Sequence, residues 1–103
     1  MRLNFERSKD SPLNILRRMG YSFLKHTPQG EMSFVKRVGY DDFPRFHVFS
    51  KMDQKGNVSL TLHIDQKGAS YGGSFAHSGE YENEGVLEKE AEAIKKEFLN
   101  PKL

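Results

Sequence analysis

The chain has no cysteine among its 103 residues. That excludes a disulfide framework, a zinc finger built on thiolates and a thiol nucleophile. Short secreted chains usually carry bridges, so the absence predicts a reducing compartment, with the cytoplasm as the expected location. Long apolar runs are missing as well. No more than two apolar residues follow one another, as at Phe23-Leu24 or Val48-Phe49. A membrane span needs about 20 and a signal peptide about 7–15, so neither a membrane segment nor a leader is expected.

The same shortage bears on architecture. Strands of an all-parallel sheet are buried on both faces and read as continuous apolar runs. None occurs here, so the sheet is expected to be antiparallel, with one face covered and one face wet. Charge of one sign is lacking too: 16 basic and 14 acidic residues leave a net charge of +2. Self-repulsion therefore does not oppose compaction.

Leu, Ile, Val and Phe make up 25 of the 103 residues, enough for one small core. Ser11-Pro12 reads as an N-cap followed by proline at the first helical position. Leu13, Ile15, Leu16 and Met19 continue at helical spacing to Gly20, which predicts a helix over 12–19. Leu3 and Phe5 give a weak strand signal before it. Strands are expected at 21–25 and 32–38, joined through Thr27-Pro28-Gln29-Gly30.

The strongest element is a hairpin. Phe46, Val48 and Met52 alternate with polar or wet-face residues, and so do Val58, Leu60, Leu62 and Ile64. The connection Asp53-Gln54-Lys55-Gly56-Asn57 suits a three-residue loop with Gly56 in the left-handed region. That turn sets Asp53 opposite Asn57, which places Val48 beside Leu62 and Phe46 beside Ile64. A one-residue slip would bury His63, so the apolar pattern fixes the register. Residues 66–85 carry five of the nine glycines and no period, and are expected to form one long loop. Leu87, Ala91, Ile94 and Phe98 then mark a final helix over 86–98. The expectation is one α+β domain over 1–103, an antiparallel sheet of four to five strands with both helices on one face.

The register puts Arg45 opposite Asp65, His47 opposite His63, Phe49 opposite Thr61 and Lys51 opposite Ser59, all on the wet face. Cβ atoms so paired lie about 4.5–5.5 Å apart. Two imidazoles at that distance reach one divalent ion, and Asp65 can add an oxygen. His77 and Glu80 of the expected loop are further candidate ligands, and Tyr71 a candidate binding residue. Phe49 among Arg45, Lys51, His47 and His63 is equally a stacking and phosphate surface for RNA. Against that, net charge runs +5 over residues 1–40, −1 over 41–65 and −2 over 66–103, so the last helix should repel phosphate. The same face could instead contact another protein or a second copy of the chain.

Ile15-Leu16-Arg17-Arg18-Met19-Gly20-Tyr21 and the strand after it resemble the opening of small toxin domains of the HicA type. The likeness covers only the segment around the first helix. It implies a double-stranded-RNA-binding-like fold with a catalytic histidine, for which His26 is the candidate. That family carries Gly-Ser-His where this chain has Lys25-His26-Thr27. The function expected from the residues themselves is a binding or interaction domain using the 46–65 hairpin face and the 66–85 loop. The alternative is a small metal-dependent or ribonuclease-like enzyme using His47, His63 and Asp65.

Overall fold

The computed structural model describes residues 1–66 and 76–100, the second stretch with side chains from 85 onward. Seven elements follow one another: β1 (Arg2–Phe5), α1 (Pro12–Arg18), β2 (Ser22–His26), β3 (Met32–Arg37), β4 (Arg45–Met52), β5 (Val58–Asp65) and α2 (Ala76–Leu99). The strands form one antiparallel sheet in the order β1-β5-β4-β3-β2. The first strand thus closes one edge by pairing with the last, Leu3 opposite Leu60 and Phe5 opposite Val58.

The hairpin register is the one the alternation requires, from Arg45 opposite Asp65 to Met52 opposite Val58. Its turn is held locally. The Asp53 N–H donates to the Asn57 carbonyl at 3.0 Å, and Gly56 sits at φ +88°. That is the left-handed region where a Cβ is costly. The α1 entrance follows the sequence reading as well: Ser11 Oγ accepts the Asn14 N–H at 3.1 Å, with Pro12 inside the first turn.

One apolar layer joins the elements. Leu3, Phe5, Phe34, Phe46, Val48, Val58, Leu60 and Leu62 line one sheet face. Ile15 and Leu16 of α1 and Ala91, Ile94 and Phe98 of α2 pack against them. The Phe5 and Phe98 rings stack with centroids 4.7 Å apart. Both helices therefore lie on the same side, and the other sheet face carries mainly polar residues, with Val35 and Phe49 among them. A polar tie crosses the layer: the Tyr21 hydroxyl donates to Glu90 Oε2 at 2.6 Å, and Lys36 Nζ meets the same oxygen at 2.6 Å. Burial and the Glu90 carboxylate push the Tyr21 phenol above its ordinary range.

The last helix departs from expectation. It starts at Ala76, ten residues before the expected start, so residues 76–85 of the expected 66–85 loop are helical, and residues 67–75 lie outside the described residues. An apolar stripe is what marks a helix in a sequence, and here the stripe begins only at Leu87. Glu80-Tyr81-Glu82-Asn83-Glu84 is compatible with a helix but has no apolar period to announce one. Among the described residues, no helix is long and apolar enough to cross a membrane.

Candidate functional site

The polar face is organised around β4 and its two neighbours. β3 pairs with β4 so that Ser33 is opposite Phe49 and Val35 opposite His47. The hairpin pairing puts His47 opposite His63 and Phe49 opposite Thr61. Alternation then brings the two histidines, Phe49, Ser33, Arg45 and Asp65 into one patch at the centre of the sheet.

Asp65 is the hub. Its Oδ2 receives the Arg45 Nε–H at 3.2 Å and lies 2.8 Å from His47 Nδ1. Its Oδ1 lies 3.2 Å from His63 Nε2. Burial alone would raise this carboxyl, but the His47 and Arg45 hydrogen bonds outweigh it and hold the group below the ordinary carboxylate value. On its far side, His47 Nε2 lies 2.6 Å from Ser33 Oγ. The imidazole is thus clamped at both nitrogens, and its side chain is only 12% exposed.

Ring contacts complete the patch. Phe49 stacks on His47 with centroids 4.4 Å apart, and His63 lies 5.0 Å from His47 and 5.6 Å from Phe49. His63 is the accessible member, with 43% of its side chain exposed. Desolvation, helped by the neighbouring His47, pulls the His63 imidazole below its ordinary value, although Asp65 acts the other way. Protonation of His63 is therefore easier in the unfolded chain. In metal-free protein, the stability it contributes should be complete above neutrality. It should decline as pH drops through about 6.5, the ordinary histidine value. Urea midpoints at pH 8 and 5.5 measure this, and a His63→Asn variant should show a smaller difference than the parent. Equal differences in parent and variant would remove His63 as the cause.

Ser33, His47 and Asp65 repeat the atom order of an acyl-transfer relay. Ser33 has no exposed surface, however, so a substrate carbonyl cannot reach its hydroxyl. The contact reads instead as a support for the imidazole. Ser33 is the residue that sequence reasoning missed. Its place depends on the β3–β4 register, and residues 38–44 between those strands contain no tight turn that would set it.

The expected site residues fall into two groups. Arg45, His47, Phe49, Lys51, His63 and Asp65 share the face as expected. Tyr71 lies outside the described residues, as do the side chains of His77 and Glu80, whose backbone belongs to α2. His26 sits at the end of edge strand β2, its ring meeting Phe23 edge-on at 5.1 Å, and takes no part in the patch.

Charge is distributed by layer. The pairings place Arg2, Lys25, Arg37, Arg45 and Lys51 on the polar face, where Asp65 is the one carboxylate among the paired strand residues. Arg37 is held by Asp42 at 2.8 Å, whereas Arg2, Lys25 and Lys51 make no ion pair among the described residues. The sequence of α2 holds seven acidic and three basic residues, and this helix packs behind the sheet. Comparison with known proteins gives no guide to the role of this arrangement: no family model, no curated protein and no solved structure matches the chain.

Proposed function

We propose that the domain binds single-stranded nucleic acid, RNA or DNA, across its polar sheet face. The observation that carries this reading is the aromatic cluster of Phe49, His47 and His63 in the middle of a face whose outlying charges are basic. Bases stack on such rings regardless of sequence, and phosphates need cations at the periphery of the rings. Across the strands, Arg2 lies to one side of Phe49 and Lys25 to the other, with Lys51 two residues further along β4 itself, which suits a strand crossing the sheet. The acidic balance of the last third of the chain argued against phosphate in the sequence. Placed behind the sheet, α2 no longer opposes it directly, because a full layer separates the two surfaces.

The test is a titration of metal-free, amide-labelled protein with a short mixed-sequence RNA at low salt. Shifts should concentrate at Arg45, Phe49, Lys51 and Thr61. Phe49→Ala should weaken binding by about tenfold, given that one stacked base contributes about 1–3 kcal/mol. Affinity should also drop with salt, each phosphate contact adding about 0.7 to the slope of log affinity against log salt. Shifts confined to α2, or none with either RNA or the matching DNA, would sink the reading.

A further inference from the structure

We propose that His47, His63 and Asp65 bind a divalent late first-row transition-metal ion such as zinc, with the Ser33 hydroxyl supporting the imidazole tautomer that the ion needs. One donor atom from each of the three residues lies within 4.8 Å of the other two. Around a tetrahedral zinc with bonds of about 2.0–2.2 Å, donors stand roughly 3.4 Å apart. The adjustment to that spacing falls to Asp65 and His63, whose side chains are partly exposed, while His47 is fixed by its neighbours. Two imidazole nitrogens and one carboxylate oxygen suit zinc, cobalt or nickel. Magnesium and calcium demand oxygen-rich shells. Three protein ligands on two adjacent strands leave a fourth position for water or another donor.

The hydrogen bonds of His47 give the site its character. In the neutral ring, Nδ1 at 2.8 Å from a carboxylate oxygen must carry the proton, since two lone pairs would otherwise face each other. Nε2 then accepts from the Ser33 hydroxyl. An ion bound between His47, His63 and Asp65 takes Nδ1, so that proton leaves and Nε2 becomes the protonated nitrogen. Nε2–H now donates to Ser33 Oγ. A hydroxyl can donate or accept, so the same 2.6 Å contact serves both states and the ring keeps its charge. Partners of this kind orient the ligand ring in metal sites. The Arg45 guanidinium, 3.2 Å from Asp65 Oδ2, opposes a second cation and so weakens the site.

The experiment uses chelator-treated protein and no nucleic acid, so it is independent of the stacking reading. Zinc is titrated while the imidazole nitrogens are followed by NMR. One equivalent should move Nδ1 of His47 and Nε2 of His63, and should convert Nε2 of His47 to the protonated form; magnesium should do neither. His63→Asn and Asp65→Asn should each weaken zinc binding at least tenfold, and Ser33→Ala by about 10- to 100-fold. Zinc that perturbs only His26 or His77 would overturn the site. An unchanged His47 tautomer would overturn the role of Ser33, and this is read on the unaltered protein whether or not Ser33→Ala folds.

Discussion

Phe34→Ala is expected to bring the domain to the edge of unfolding. Among the described residues, Phe34 is the largest side chain with no exposed surface, in the second strand from the β2 edge. Its ring meets Phe23 edge-on at 5.7 Å, and its strand neighbour Val48 is also fully buried. Truncating a buried phenylalanine costs about 3–5 kcal/mol, because the transfer energy and the residual cavity add. Small domains have only about 5–15 kcal/mol in total. A thermal melt should therefore shift down by roughly 15–30 °C. Phe34→Leu, which leaves a smaller void, should shift it by less than half as much. A shift under about 5 °C for Phe34→Ala would mean that this face is not the core. Ser33 is the adjacent residue on the same strand, so the melt should be accompanied by early loss of the His47 resonances.

Asp65→Ala should have the second-largest effect, for an electrostatic reason. One carboxylate accepts from Arg45, lies against His47 Nδ1 and faces His63. Its removal leaves the largely buried His47 ring and the Arg45 guanidinium without that partner. Hydrogen bonds to charged groups contribute about 1.5–3 kcal/mol, so a loss of about 2–3 kcal/mol is expected at neutral pH in metal-free protein. The pH dependence distinguishes this from a packing defect. The carboxyl is held below its ordinary value, so its stabilisation is present above about pH 4 and is lost as pH falls through the lower folded value. Denaturant curves of parent and variant should consequently converge in acid. A gap that stays constant down to pH 3 or so would assign the loss to shape rather than charge.

These two sites also mark how far the sequence could be read. The β4–β5 hairpin was legible because alternation and the Gly56 turn are local and agree with each other. Helix α1 was legible for the same reason, its cap and its stop both lying within ten residues. The cross-strand pairs that bring His47 to His63 came with the hairpin. What escaped depended on distance along the chain. The Tyr21–Glu90 hydrogen bond joins residues 69 positions apart, and the pairing of β1 with β5 joins the first strand to the last. Ser33 entered the patch only when β3 took its place beside β4. The start of α2 escaped for another reason: its first turns do not need an apolar stripe to be helical, and periodicity is blind to a helix segment without one.

The layered charge has a consequence for the protein as a colloid. A net charge of +2 suggests a nearly neutral particle, but the charge is unevenly distributed: the sheet face is basic at its periphery, and the sequence of the final helix holds seven acidic against three basic residues. Segments of opposite charge should attract one another between copies in dilute buffer. Screening over about 10 Å at 0.1 M salt removes that attraction. Moderate salt should therefore disperse this protein, whereas deionised water should cloud it.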